Sequence, residues 1–318
     1  MSGRYLRVFS CAAAILFSAP ALASEALTII VPNGAGGALD KFARTAAQFL
    51  PGRHVTIENA TGKDEAHGYL EFKRRSADTT TAIAWFEPAG AAFEHTTGMS
   101  LDDLTIINVQ EIESPIIIAR RDLGWSSLQD AIAAIRNEPY RYIFGSGRHG
   151  GGGLLASSLF AKLELPVRIS MESSGGAARK KLLAGEIDLV AGSARSAKKL
   201  GEKAVPLAIF SPRRVRAWAQ TPTLREALGA EGDNAVFGGV YRYFAVDSAF
   251  ASSHPDAFKD LVEAFRQMTE DDPSFQRHAD QQGIGRHWFG PVESQSLVAR
   301  ARAHYKQILI QMEDAATN

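Results

Sequence analysis

Three glycine-rich loops contain the residues whose types and spacing could do chemistry. They span residues 32–40, 145–153 and 173–176, and each separates a strand-like run from a helix-like run. Glycine lets the backbone approach a ligand closely, and a helix start offers free N–H groups and a partial positive charge. Such helix starts bind carboxylates or phosphates without a cationic side chain. Three loops in matching positions predict an anion-binding site, although each could also be only a tight turn.

Motifs of known enzyme classes are incomplete in these loops. The run beginning at Gly34 starts like a dinucleotide fingerprint, but Leu39 stands where a third small residue is needed. Residues 149–152 imitate an esterase oxyanion-hole motif, yet the chain has no Gly-x-Ser-x-Gly nucleophile elbow. The sequence therefore favours a binding protein over an enzyme. A periplasmic hydrolase that uses Asp40 or His149 remains an alternative.

The first residues have the three parts of an export signal. Arg4 and Arg7 precede an apolar run over residues 8–19, and a small-x-small pattern ends at Ala23. A membrane-spanning helix needs about 20 apolar residues, which is more than this run supplies. The sequence predicts that residues 1–23 are a cleaved signal peptide and that the mature protein is periplasmic.

Composition excludes several other classes of function. The single cysteine, Cys11, lies inside the predicted signal, so the mature chain has no disulfide or thiolate site. The 35 basic and 35 acidic residues are interspersed, without the basic stripe that nucleic acid would require. The eight histidines show no metal-ligand spacing. We therefore expect no cofactor, no metal and no nucleic-acid partner.

Strand-like and helical patterns alternate along most of the chain, which predicts an α/β fold with parallel sheets covered by helices. The C-terminal part is mostly helical. The predicted strands are residues 27–31, 54–58, 81–86, 116–119, 141–144, 167–170, 187–191, 205–210 and 240–246.

Five motifs in order resemble one family, the extracytoplasmic receptors of tripartite tricarboxylate transporters, also called Bug-type solute-binding proteins. The motifs are residues 30–44 (IVPNGAGGALDKFAR), 55–59 (VTIEN), 144–147 (FGSG), 182–189 (LLAGEIDL) and 222–227 (PTLREA). The resemblance covers nearly the whole predicted mature chain. No single motif is diagnostic, but their common order and spacing are specific.

The resemblance implies a two-lobed periplasmic binding fold of type II, a Venus flytrap in which each lobe is a sheet flanked by helices. Lobe 1 would comprise residues 24–121 plus 241–318, and lobe 2 residues 122–240. A monomeric receptor of this kind captures a di- or tricarboxylate, or a related organic acid, between its lobes. It then delivers the ligand to the integral-membrane permease subunits of the transporter. A ligand-sensing subunit of a membrane signalling protein is the alternative.

The resemblance also implies where the ligand would bind. Two departures from the family pattern, Arg148 and Arg242, could pair directly with a ligand carboxylate or could be surface arginines at the rim of the cleft. The ligand-binding residues that the resemblance implies are Asn33, Ala35, Gly36, Gly37 and Asp40 in the first loop, Ser146 and Gly147 in the second, and Gly175 and Gly176 in the third; Arg148 and Arg242 are candidates because of the departures.

Overall fold

The computed structural model describes residues 25–62, 65–77, 79–147, 150–229 and 239–317. The predicted signal peptide, Arg148 and His149 lie outside these ranges. Within them, no helix combines the length and the apolar character needed to cross a membrane.

The described strands form two five-stranded sheets. The strands are β1 Glu25–Val31, β2 Arg53–Asn59, β3 Thr81–Glu87, β4 Leu104–Glu113, β5 Pro115–Arg120, β6 Ile143–Gly147, β7 Arg168–Glu172, β8 Leu189–Ser193, β9 Ala204–Ile209 and β10 Val240–Asp247. The first sheet has the order β2-β1-β3-β10-β4 and the second the order β7-β6-β8-β5-β9. Most strands are buried apolar runs, as expected for sheets covered on both faces.

Helices cover both sheets. They are α1 Ala38–Phe49, α2 Ala66–Ser76, α3 Ala89–Thr97, α4 Leu128–Asn137, α5 Gly151–Lys162, α6 Gly175–Ala184, α7 Ala194–Ala197, α8 Leu224–Leu228, α9 Ser248–Ser253, α10 Pro255–Arg266, α11 Pro273–Gln282 and α12 Gly290–Thr317. This arrangement confirms the predicted fold class, a pair of sheets each flanked by helices.

The pairing directions are mixed in the same way in both sheets. In the first sheet β1 pairs in parallel with β2 and β3, whereas β10 runs antiparallel between β3 and β4. In the second sheet β6 pairs in parallel with β7 and β8, whereas β5 runs antiparallel between β8 and β9. Each sheet therefore contains one strand that reached it by a crossing from the other sheet.

The chain crosses between the sheets at Ser114, the residue between β4 and β5, and returns between β9 and β10. The boundary predicted at residue 121 left the run 116–119 in lobe 1. The structure instead places β5 in the second sheet, paired with β8 and β9. The first crossing takes only one residue, so the sequence has no loop there that would mark it.

Strand β4 was not predicted, and its composition explains why. Asn108, Gln110, Glu111 and Glu113 interrupt the apolar pattern, yet each is at least nine-tenths buried. Buried charge is expensive unless it is paired, so these side chains require partners from elsewhere in the fold. Helices α2 and α3 were also not predicted.

The long C-terminal helix α12 packs on both halves of the molecule. It contacts β3, β4 and α3 on the first sheet and α5 on the second. Tyr305, at the centre of α12, is fully buried and donates its hydroxyl to the carbonyl of Gly239 at 2.6 Å. The helix thereby fixes the start of β10, next to the return crossing.

Candidate functional site

Asp40 fixes the first glycine loop from within. Its side chain is 2% exposed and accepts hydrogen bonds from Gly36 N at 2.8 Å, Arg44 Nε at 3.0 Å and Asn59 Nδ2 at 3.0 Å. Burial opposes ionisation, but these hydrogen bonds together lower the pKa of Asp40. Its carboxylate is occupied by the protein, so Asp40 positions the loop, and the structure does not bring it out as a ligand contact.

The remainder of the first loop presents mainly backbone to solution. Ala35, Gly36 and Gly37 are exposed. Asn33 is partly buried, and its Nδ2 atom lies 3.4 Å from a carboxylate oxygen of Glu65. The loop follows β1 and leads into α1, so its N–H groups lie at the carboxyl edge of the first sheet.

The second and third loops touch each other. Glycine is required at position 147 because an added Cβ there would lie 2.5 Å from Gly175 N, well inside van der Waals contact. Ser146 is 1% exposed, and its hydroxyl donates to the Gly147 carbonyl at 3.1 Å. The side chain of Ser146 therefore points into the protein, and its expected role in binding ligand stays a prediction.

The start of α5 is where the two sheets meet. A Cβ on Gly151 would lie 2.7 Å from Pro88 Cδ and 2.8 Å from Val240 Cγ2, and both of these residues belong to the half of the molecule built on the first sheet. A Cβ on Gly152 would lie 2.7 Å from Gly192 at the end of β8. The glycines of α5 therefore allow the carboxyl ends of β3, β6 and β8 to come together.

Helix α6 begins with the third loop. The Ser174 side chain accepts from Ala177 N at 3.2 Å and satisfies one of the N–H groups that a helix start leaves free. The backbone N–H groups of Gly175 and Gly176 have no partner within the helix. Both glycines are partly buried beside Gly147. The second and third loops thus provide one continuous surface of backbone.

Arg179, which was not among the predicted site residues, lies over this surface. Helical side chains point back toward the N-terminus, so Arg179 reaches the first turn of its own helix. A Cβ on Gly175 would lie 3.4 Å from its Nη1 atom, and one on Gly176 would lie 3.9 Å from its Nη2 atom. The same side chain borders a small pocket together with Ser193.

Arg242 has a different position from the one expected. It is 6% exposed and pairs with two carboxylates of β4, those of Glu113 at 2.9 Å and Glu111 at 3.0 Å. Its charge is therefore already compensated inside the protein. The expectation of a direct ion pair between Arg242 and ligand is corrected accordingly. Arg148 lies outside the described residues.

The same carboxylates connect the two sheets. Arg195 of α7 contacts Glu111 at 2.9 Å, and Ser193 of β8 donates a short hydrogen bond to Glu113. Burial raises the pKa of Glu111. Burial opposes ionisation of Glu113 as well, but the charges of Arg242 and Arg195 and the Ser193 hydroxyl lower its pKa. The network stands directly before the crossing at Ser114.

Replacing Gly147 by alanine tests the contact between the second and third loops. The new Cβ has to displace the backbone of Gly175, and overpacking of this kind costs about 1–3 kcal/mol. We expect the free energy of unfolding of Gly147→Ala, measured in urea, to fall by that amount. Gly176→Ala is the matched control, because its nearest neighbour would be Ser174 Oγ at 3.6 Å. Equal stability of both variants would contradict the contact.

Within the described residues, no group of three or more histidine, cysteine, aspartate or glutamate side chains is placed to hold a metal. What the structure assembles is an anion-compatible surface of glycine backbone and one arginine.

No protein-family model matches the chain. Among curated proteins, a UPF0065 protein from the TAR-I ttuE-ttuC' intergenic region of Agrobacterium vitis is 25% identical over 203 residues. The match covers 59% of this chain and 58% of that protein, which is less than two thirds of the relative's length.

Several solved solute-binding proteins have the same fold. A TctC solute-binding protein from Polaromonas matches 91% of this chain and 99% of its own, with 21% identity and a TM-score of 0.69. A Rhodopseudomonas palustris protein solved with adipate matches 89% of this chain and 95% of its own, with 19% identity and a TM-score of 0.72. MatC from the same organism, solved with malate, matches 89% of this chain and 98% of its own, with 18% identity and a TM-score of 0.71. These likenesses confirm the predicted two-lobed fold.

Proposed function

We propose that this protein is a periplasmic receptor that captures a small carboxylate, a di- or tricarboxylate or a related organic acid, in a cleft between two lobes. One observation carries the proposal. The start of α5 packs against Pro88 and Val240, so glycine-rich helix starts of the second sheet face the carboxyl edge of the first. Ligands of open α/β sheets bind at the carboxyl ends of the strands.

The similar proteins support a carboxylate rather than another anion. The two Rhodopseudomonas palustris proteins hold adipate and malate, and both of these ligands are carboxylates. The identities are low, so this support concerns the class of ligand and leaves its identity to experiment. We further propose that the loaded receptor delivers its ligand to the membrane permease of a tripartite transporter, and that it does so as an exported monomer without a cofactor.

The two crossings between the sheets would act as the hinge. We propose that lobe 1 is built on the first sheet, up to Glu113 and again from Val240, and that lobe 2 is built on the second. Rotation about a few backbone torsions, at Ser114 and between β9 and β10, would then move the lobes apart or together. Ligand would stabilise the closed form through contacts that exist only there.

A thermal-shift screen tests the receptor function. The mature protein, from residue 24, is unfolded and refolded to remove any bound ligand. It is then heated with malate, adipate, other di- and tricarboxylates, amino acids and inorganic phosphate. A ligand at about 100 times its Kd should add roughly 2.7 kcal/mol. That corresponds to a rise in Tm of several degrees, at about 2–4 °C per kcal/mol for a chain of about this size.

Stabilisation by carboxylates and not by amino acids or phosphate would support the proposal. A folded protein that no carboxylate stabilises would overturn it, and the sensor and hydrolase alternatives would then be tested next. Turnover of carboxylate esters that is lost in His149→Ala would identify the hydrolase.

A further inference from the structure

Among the described residues, Arg179 has no counter-charge in contact, in contrast to three other buried or partly buried arginines. Arg242, Arg302 and Arg195 each pair with a glutamate at 3.0 Å or less. Within the described part of the chain, Arg179 makes no hydrogen bond or ion pair, and only the more distant charge of Glu113 acts on it. Glu113 is itself bonded to Arg242 and to Ser193. A guanidinium with five donors is thus left without an acceptor.

The position of Arg179 makes this lack of a partner unfavourable. Its guanidinium lies over Gly175 and Gly176, at the end of α6 that carries a partial positive charge. A cation at a helix start has the wrong sign, whereas an anion there is stabilised. Burial accordingly lowers the pKa of Arg179, with Glu113 acting in the opposite direction. An anion placed between the guanidinium and the helix start would satisfy both positive groups.

The pocket next to Arg179 would strengthen such a contact. Gly175, Gly192 and Ser193 form its polar side. Its remaining lining is aliphatic, and consists of Ile116, Ile118, Ala178, Val190, Ala191 and Ala197. Apolar walls keep the local dielectric constant low, and attraction between opposite charges increases as the dielectric constant falls.

We infer that Arg179 is the specificity-determining residue of the ligand site. It pairs with one carboxylate group of the bound organic acid, and the N–H groups at the start of α6 complete the contact. This inference rests on the proposed function, and it assigns the selection of charged over neutral ligands to one side chain. A planar guanidinium matches a carboxylate through two parallel hydrogen bonds, so the site favours carboxylates over their neutral amides.

Calorimetric titration of malate and adipate, each alongside its diamide, tests the inference. Arg179→Gln should weaken binding of an acid by about 10- to 100-fold, because hydrogen bonds to charged groups are the stronger kind. Arg179→Lys keeps the charge but not the planar fork, so its affinity should be intermediate. The Tm of ligand-free Arg179→Gln should equal or exceed that of the wild type, since Arg179 has no partner to lose and a cation at a helix start has the wrong sign. A purely structural role would lower this Tm.

Lys180→Ala is the matched control. It removes one positive charge from the next position of the same helix, at an exposed residue, and should leave affinity unchanged. Equal affinity of wild type and Arg179→Gln for every acid that binds would overturn the role of Arg179 and leave the receptor function standing. If wild type binds none of the acids, the proposed function fails and the role of Arg179 fails with it. Equal weakening in Lys180→Ala would also contradict the inference, because it would indicate a general effect of charge.

Discussion

Replacing Arg242 by alanine should lower the free energy of unfolding by about 3–5 kcal/mol, the usual cost of removing one partner of a buried ion pair. The reason is the carboxylates that remain: Glu111 is 3% exposed and Glu113 is 8% exposed, and the two repel each other once the arginine is gone. Domain stabilities are about 5–15 kcal/mol, so the loss is a large share of the total. Urea denaturation of the mature protein measures it.

Two variants separate the buried network from an ordinary ion pair. Arg214→Ala breaks an arginine–glutamate pair at 2.9 Å in which both side chains are nearly half exposed. It should therefore cost less than about 1 kcal/mol. Combining Arg242→Ala with Glu113→Gln removes one of the stranded charges and should restore part of the lost stability. A loss in Arg242→Ala no larger than that in Arg214→Ala would refute the argument.

The second large effect is expected at Arg302, on the C-terminal helix. Its Nε atom lies 2.9 Å from a carboxylate oxygen of Glu87, whose side chain has no exposed surface, and Tyr243 contacts both groups at 3.2 Å. Arg302→Met keeps much of the side-chain volume but leaves Glu87 with a buried, uncompensated charge. We expect a loss of about 3–5 kcal/mol at pH 7, measured by urea denaturation.

The pH dependence of this loss identifies its cause. Burial already raises the pKa of Glu87, and removing the cation raises it further. A carboxyl group whose folded pKa lies above its unfolded value of about 4.3 destabilises the fold as the pH rises from the unfolded pKa toward the folded one. The difference between wild type and Arg302→Met should therefore be smaller at pH 4 than at pH 7. Arg302→Met combined with Glu87→Gln should recover most of the loss. A difference that does not change with pH would mean that packing, and not charge, is responsible.

Sequence reasoning identified the elements that are built from apolar runs. Strands β1 and β6 and the glycine loops after them were predicted correctly. The reason is that a buried parallel strand and the start of a helix both leave local signals in the sequence. Strand β4 left no such signal. Its buried Glu111 and Glu113 look like surface residues until Arg242, 129 positions away from Glu113, is known to be beside them.

Partners that are distant in sequence leave no local signal, and this also explains why the environments of Arg242 and Arg179 were not predicted. Arg242 was suspected because it departed from a family pattern, but its partners lie in the strand that was not predicted. Arg179 stands in a basic run with Lys180 and Lys181, which is typical of a solvated helix face. The distinguishing signal is helical phase. Arg179 follows Gly175 by four positions and Gly176 by three, and these are the spacings at which a side chain covers the preceding turn.

The placement of β10 has a consequence for the order in which the protein is assembled. The second sheet is continuous in sequence, from Pro115 to Ile209, and all its strands are available before β10 has been synthesised. The first sheet lacks an inner strand until then, because β10 lies between β3 and β4, and Tyr243 pairs with Trp85. Contacts that distant in sequence form slowly. A chain emerging from its N-terminus would thus complete the second sheet first, while β3 is an open edge of the first sheet and β4 has no partner strand.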